Sequence, residues 1–124
     1  AVEIVSFGFL HGPGPEAAVI RDLRRAVRDP HADTRMRELT GRDRPVRKAV
    51  LRTAGIRALL RATARQVQAY AAGPSVDRVV IGSACAGGRH RSVVVADQLA
   101  RQLRRRGHTV TVQHRDIGKP VVQR

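Results

Sequence analysis

The second half of the chain carries the pattern that most restricts its fold. Residues 78–83 form a short apolar run rich in β-branched side chains, as in a strand covered on both faces. Apolar residues at helical spacing occupy 92–106, and an alternating apolar run follows at 108–114. A strand, a helix and a second strand in this order form a βαβ unit, whose strands lie parallel in one sheet. We therefore expect an α/β fold.

The first half adds a strand and two helices to this prediction. A β-branched and aromatic run at 2–9 predicts a strand that ends at a Gly-Pro-Gly-Pro loop. Residues 45–51 begin a short helix, and 56–71 carry the clearest helical spacing. Residues 16–28 also have helical spacing, whereas the polar, turn-prone residues of 34–45 predict a loop long enough to have a function.

Length and composition fit one folded domain. A chain of 124 residues can build one core and is too short for two ordinary domains. With two Phe, one Tyr and no Trp, the core must consist of Val, Leu, Ile and Ala. We expect a single domain over residues 1–124, with a mixed, mainly parallel sheet flanked by helices.

The chain is strongly basic, with 24 Lys and Arg against 10 Asp and Glu and a formal net charge of +14. Such a charge attracts phosphate-rich polymers and other anionic surfaces. Only Lys48 and Lys119 are lysines, and arginine pairs with phosphate bidentately, which favours a polyanionic partner. An Arg-rich proteome would produce the same bias, so composition alone leaves both explanations open.

Cys85 is the only cysteine, which excludes an internal disulfide and a disulfide-stabilised secreted scaffold. No apolar run approaches the ~20 residues needed to cross a bilayer, and the first residues lack a signal-peptide pattern. We expect a cytoplasmic location and no membrane partner. The spacing of the five His and one Cys matches no metal motif, and we expect neither metal nor cofactor.

The loop between the predicted buried strand and the following helix is the candidate site. It consists of Cys85, Ala86, Gly87, Gly88, Arg89, His90, Arg91 and Ser92. Parallel α/β folds place ligands at the carboxyl ends of their strands. Paired glycines let backbone N–H groups converge on an anion ahead of a helix N-terminus, and His90, Arg91 and Ser92 can donate to its oxygens. The sequence therefore predicts a strand-loop-helix anion site.

The same residues fit a second chemistry. Their spacing, C-x-x-G-x-x-R-S, matches the loop of cysteine-dependent phosphatases, with Cys85 as the thiolate nucleophile and Arg91 holding the phosphate oxygens. No general acid is identifiable, Asp43 and Asp116 being only candidates, and a lone Cys after an apolar strand is more often a buried hydrophobe. A regulatory binding role therefore ranks above catalysis. A third alternative is a basic protein-interaction domain whose loop binds nothing.

Four ordered motifs give the chain a resemblance to a known family. They are Ser6-Phe7-Gly8-Phe9, Asp22-Leu23-Arg24 with Asp29-Pro30-His31, LTGRDRPV at 39–46, and GGRHRS at 87–92. Through nearly its whole length the sequence resembles the C-terminal domain of the RapZ family, bacterial RNase adaptor proteins. Full-length members carry an N-terminal kinase-like domain with a Walker A loop. No G-x-x-x-x-G-K-[ST] occurs here, so nucleotide hydrolysis is not inferred.

The resemblance implies an α/β domain that senses an amino-sugar phosphate, such as glucosamine 6-phosphate, and binds small RNA through basic surface residues. The family's sugar-phosphate pocket maps onto the 85–92 loop, with His31 as a further wall. The residues expected to contact RNA are Arg104, Arg105, Arg106, Arg115, Lys119 and Arg124. The resemblance also implies a strand at 22–24, against the helical spacing there. A protein partner and self-association into a homo-oligomer stay open.

Overall fold

The computed structural model describes residues 1–122 of the chain. Within these residues four strands and three α-helices follow one another: β1 (Val2–Gly8), β2 (Val19–Asp22), α1 (Arg44–Leu51), α2 (Ile56–Ala71), β3 (Val79–Cys85), α3 (Arg91–Arg105) and β4 (Val110–His114). Short 3-10 helices at Phe9–His11 and Pro30–Ala32 lie in the connections after β1 and β2.

The strands form one sheet in the order β2-β3-β1-β4, and every pairing is parallel. β1 and β3 run in register from Val2 opposite Val79 to Gly8 opposite Cys85. Their carboxyl ends therefore stop side by side at one edge of the sheet. The predicted α/β fold is confirmed, and the described sheet contains only parallel pairs.

The three α-helices cover one face of the sheet. Crossovers between parallel strands are right-handed, and the β2 to β3 and β3 to β4 connections both run towards β4, which places their helices on the same side. Val2 and Ile4 of β1 belong to the same buried cluster as Val94, Leu99 and Leu103 of α3. Burial of this aliphatic surface therefore fixes the sheet beneath α3.

The β1 to β2 connection runs the opposite way along the sheet and covers part of its other face. Phe7 alternates with the core residues of β1 and is fully buried there. A Cβ built on Gly14 would lie 2.4 Å from the Phe7 ring, so the Pro-rich loop passes directly against it. The Arg115 guanidinium lies 5.1 Å from the ring centroid, within cation–π range.

Residues 16–28 do not form the helix that their spacing predicts. β2 occupies Val19–Asp22, pairs with β3, and leaves Ile20 43% exposed. Pairing with a buried strand outweighs a helical pattern in a short segment, because helix propensity is a weak preference. A strand is thus present in this segment, but it ends at Asp22 and overlaps the strand that the resemblance implied at 22–24 only at that residue. Among residues 1–122 no helix is both long and apolar enough to cross a membrane.

Candidate functional site

The loop at 85–92 lies where the carboxyl ends of three strands meet. Cys85 ends β3 opposite Gly8, the last residue of β1. The amide of Leu10 donates to the carbonyl of Ala86 at 3.0 Å, and the amide of Leu23, just after β2, donates to the carbonyl of Ala84 at 2.8 Å. Backbone amides that follow β1 and β2 therefore hold the end of β3 and the start of the loop in place.

Three glycines let this loop cross directly over the end of β1. A Cβ on Gly8 would lie 2.3 Å from the carbonyl carbon of Gly87, and a Cβ on Gly88 would lie 2.5 Å from the amide nitrogen of Gly8. Gly88 also has a φ of +72°, a conformation that costs residues with a Cβ about 1–2 kcal/mol. The backbone path therefore requires glycine at Gly8 and at Gly88.

Asp116, two residues after β4, forms a hydrogen bond with the last residue of β1. Its fully buried carboxylate accepts a 2.8 Å hydrogen bond from the Gly8 amide and pairs with Lys119 Nζ at 2.6 Å and with the Arg115 guanidinium at 2.9 Å. Burial alone would raise the pKa of Asp116, but the hydrogen bonds from Arg115, Gly8 and Lys119 outweigh it and lower the pKa to about 2. Asp116 is thus ionised at neutral pH and unsuited to act as a general acid.

Arg89 has a structural role in the loop. Its guanidinium donates to the carbonyls of Leu39 at 3.1 Å, Lys119 at 3.2 Å and Ile117 at 3.4 Å, and to the carbonyl of Glu38. These carbonyls belong to the 34–43 segment and to the residues after β4. Arg89 therefore ties both segments to the candidate loop, and its donors are already occupied.

His90 and Arg91 are buried side by side where the loop enters α3. Their residues are 3% and 2% exposed. Within the described part of the chain, His90 Nε2 and Arg91 Nε are buried without a hydrogen-bond partner. Burial lowers the pKa of His90, because desolvation disfavours the imidazolium, although the backbone of Leu39 and Met36 opposes the shift. His90 therefore favours the neutral form more strongly than a solvated histidine does.

The Arg91 guanidinium reaches back to the segment after β2. It donates to the carbonyls of Arg24 at 2.9 Å and Leu23 at 3.4 Å, and Nη2 lies 3.4 Å from a carboxylate oxygen of Asp29. The expected wall residue His31 follows closely: its amide donates to Asp29 Oδ1 at 3.0 Å in the 3-10 helix. The structure therefore joins Arg91 and the Asp29–His31 motif through one carboxylate.

Cys85 is 2% exposed, and its Sγ lies 3.2 Å from Ser92 Oγ. Ser92 is fully buried in the first turn of α3, where its carbonyl accepts from Ser83 Oγ at 2.9 Å. Neither side chain presents its reactive atom to solvent. Asp43, the other candidate general acid besides Asp116, accepts from the Thr40 amide at 2.8 Å and stabilises the turn before α1.

The basic residues predicted to contact RNA fall into two groups. Arg104, Arg105 and Arg106 are exposed at the carboxyl end of α3, whereas Arg115 and Lys119 pair with Asp116 beside the candidate loop. Arg124 lies outside the described residues. The five described residues therefore do not form one surface, and RNA contact stays a prediction.

The structure contains a polar network that the sequence did not predict. Ser6 Oγ lies 2.6 Å from His114 Nδ1, and His114 Nε2 lies 2.9 Å from Asp97 Oδ1. The three residues come from β1, β4 and α3, so only the folded sheet brings them together. Because Ser6 is fully buried, this arrangement links the sheet to α3 and offers no accessible nucleophile. Residues 1–122 contain no cluster of three or more His, Cys, Asp or Glu able to hold a metal ion.

The fold and the loop define a class of protein: a parallel α/β domain with a glycine-rich strand-to-helix loop that ends in a buried His-Arg-Ser sequence. The chain belongs to the RapZ C-terminal domain family, whose profile matches residues 1–118. The resemblance based on the four motifs is thereby confirmed.

Relatives over nearly the full chain are described as nucleotide-binding proteins. One from Bifidobacterium longum (strain NCC 2705) is 39% identical over 122 residues, covering 96% of this chain and 37% of the relative. Proteins from Desulforudis audaxviator (strain MP104C) and Thermobifida fusca (strain YX) are 36% and 35% identical, covering 98% and 94% of this chain and 42% and 40% of their own lengths. The chain therefore spans about two fifths of the length of these relatives.

Proposed function

We propose that this domain is a regulatory binding module that senses a phosphorylated sugar at the 85–92 loop and binds RNA through its basic surface. Sugar-phosphate binding at this loop is supported by the buried pair of His90 and Arg91, in which one ring nitrogen and one guanidinium nitrogen have no hydrogen-bond partner among the described residues. An unpaired buried polar group costs about 1–3 kcal/mol. Both atoms are buried, so an anionic oxygen reaches them only when the loop opens, and by accepting from them it would recover that free energy.

The surroundings favour an anion as the ligand. The pair stands at the N-terminus of α3, which is 15 residues long, and free amides and the helix dipole at such an end favour negative charge. Asp29 contacts Arg91 at Nη2, 3.4 Å away, and Arg91 Nε stays available for a further acceptor. The hydroxyls of a sugar phosphate could also donate to the carbonyls of Leu23 and Arg24. Each of these carbonyls already accepts one hydrogen bond from Arg91 and has a second lone pair.

Nucleotides are an alternative source of the same phosphate chemistry. The relatives are described as nucleotide-binding, but this chain aligns with only about two fifths of each of them. A nucleotide sugar therefore belongs among the ligands tested. Catalysis by Cys85 is not proposed, because neither candidate general acid is suited to accompany the thiol: Asp116 is ionised, with its pKa lowered to about 2, and Asp43 accepts from the Thr40 amide in the turn before α1.

The test is thermal stabilisation by ligands. Melting temperatures would be measured with inorganic phosphate, glucosamine 6-phosphate, a UDP-sugar and unphosphorylated glucosamine at matched ionic strength. A ligand at 100 times its Kd stabilises the folded state by about 2.7 kcal/mol. We expect a rise with glucosamine 6-phosphate and little change with glucosamine.

Arg91→Lys and Arg104→Lys form a matched pair for this test. Both arginines lie in α3 and donate to a backbone carbonyl, Arg91 to Arg24 and Arg104 to Val110 at 2.9 Å. Each substitution keeps the charge and removes the planar set of donors. Loss of the ligand response in Arg91→Lys alone would support the site. An equal response in both variants, or no response of the wild type to any ligand, would refute it.

A further inference from the structure

A groove between α2 and α3 is lined mainly by arginine. It has a volume of about 600 Å³, and its lining residues are Leu51, Arg57, Leu60, Arg61, Gln98, Arg101, Gln102, Arg105 and Arg106. A second concavity of about 560 Å³ shares Gln98 and Arg101 with it and adds Arg42, Arg47 and Arg104. We call the two together the arginine groove. It lies on the helical layer, away from the sheet.

The positive charge of the arginine groove is poorly compensated. Within residues 1–122, Arg57, Arg61, Arg101 and Arg105 take part in no ion pair. The one carboxylate in the lining, Asp97, is already bonded to His114 Nε2. Like charges held close together repel, and a row of phosphates would relieve that repulsion.

The shape of the groove indicates an extended anion. The groove follows the outer side of α3 from Asp97 to Arg105, about 12 Å at 1.5 Å per residue. That length accommodates several successive phosphates of a nucleic-acid strand, whereas a single metabolite would occupy one concavity. No aromatic side chain is among its lining residues, so it has no platform on which unpaired bases could stack.

We propose that the arginine groove binds the phosphate backbone of double-stranded RNA. Contacts to the backbone without stacking are the usual way in which duplex RNA is recognised. Gln98 and Gln102 lie among the arginines, and their amides can both donate to and accept from a ribose 2′-hydroxyl, which DNA lacks. This inference rests on the RNA half of the proposed function and assigns it a surface and a class of RNA.

The experiment compares two variants with equal loss of charge. Arg61→Gln with Arg105→Gln changes the arginine groove. Arg44→Gln with Arg52→Gln changes a separate basic concavity of about 580 Å³ that Arg28 and Lys48 also line. All four substituted side chains are exposed on or next to helices, and Gln has nearly the same helix propensity as Arg. Melting temperatures would confirm that both variants fold.

Binding of an RNA hairpin would be measured at several salt concentrations. Each neutralised phosphate contributes roughly 0.9 to the slope of log K against log salt. If both arginines contact phosphates, the groove variant should lose about 1.8 from this slope and roughly thirtyfold in affinity at 0.15 M salt. The control variant should change by threefold or less.

Each contrary outcome has a separate meaning. Equal losses in the two variants would overturn the assignment to the groove while leaving RNA binding in place. Equal affinity of the wild type for a DNA duplex of the same sequence would overturn the choice of RNA. Failure of the wild type to bind the hairpin at low salt would refute the RNA half of the proposed function, and with it this inference.

Discussion

The amide of Gly8 donates a 2.8 Å hydrogen bond to the buried carboxylate of Asp116, 108 residues further along the chain. Through this bond the end of β1 is joined to the segment after β4. Gly88 packs against both partners, since a Cβ there would lie 2.5 Å from the Gly8 nitrogen and 2.8 Å from Asp116 Cβ. The candidate loop therefore packs against residues from both ends of the described chain.

Replacing Asp116 with Asn should destabilise the protein in a pH-dependent way. The folded pKa of Asp116 is about 2, below the usual 3.8, so its ionised form stabilises the folded state above pH 4. That contribution is lost as pH falls from about 4 towards 2, because the unfolded chain takes up the proton first. The difference between the two pKa values corresponds to about 2 kcal/mol.

Urea unfolding of the wild type and Asp116→Asn at pH 7, 4 and 2.5 measures this contribution. The difference between the two proteins should be largest at neutral pH and shrink towards pH 2.5, while the other carboxylates cancel in the comparison. A constant difference at all three values would mean that the Asp116 charge does not stabilise the fold.

Gly88→Ala should be among the most destabilising substitutions of a loop residue in this chain. The new Cβ would meet the Gly8 backbone at 2.5 Å in addition to the strain of a φ of +72°. Gly55→Ala supplies the control, because Gly55 has a φ of +86° and a Cβ there would have no neighbouring atom within 4 Å. We expect about 1 kcal/mol for Gly55→Ala and at least about 3 kcal/mol for Gly88→Ala by urea unfolding. Similar losses would show that the loop can move away from β1.

The thiol of Cys85 should be protected from reagents in the folded protein. Its 2% exposure and its 3.2 Å contact with Ser92 Oγ leave no path for a disulfide reagent without opening of the loop. Labelling by DTNB should therefore be slow in buffer and rapid in urea. Rapid stoichiometric labelling of the native protein would contradict the burial and would revive the thiolate mechanism.

The sequence predicted α2 and α3 well because the signals for a helix are local. The bounds of α2 are those expected, and α3 begins and ends within one residue of its prediction. β2 was different: its partner is β3, about 60 residues away, so the spacing of residues 16–28 carried no information about that pairing. Propensity and pattern act within a few residues, whereas sheet pairing is a tertiary effect.

The sequence predicted where the candidate site lies but not which residues its side chains contact. Glycine pairs and cations after an apolar strand identify the loop, but Arg91 turns towards Leu23 and Arg24, and Arg89 holds carbonyls of two other segments. These partners lie 28 to 68 residues away in the sequence. The supporting role of Asp116 was missed for the same reason, since its only sequence feature is a place after the last strand.

His90 offers a test of whether an anion binds next to it. Burial lowers its pKa from 6.5, so the folded protein takes up a proton less readily than the unfolded chain, and stability should fall as pH drops below about 6.5. Urea unfolding at pH 7.5 and 5.5 should show a smaller loss of stability for His90→Asn than for the wild type.

An anion that accepts from His90 Nε2 would raise the pKa of His90 and reduce the loss of stability in the wild type. Glucosamine 6-sulfate is the suitable probe, because a sulfate ester does not titrate in this range, whereas a phosphate ester does. Equal pH dependence in wild type and variant would exclude His90 as the titrating group, and a wild-type loss unchanged by the sulfate would show that no anion lies against its ring.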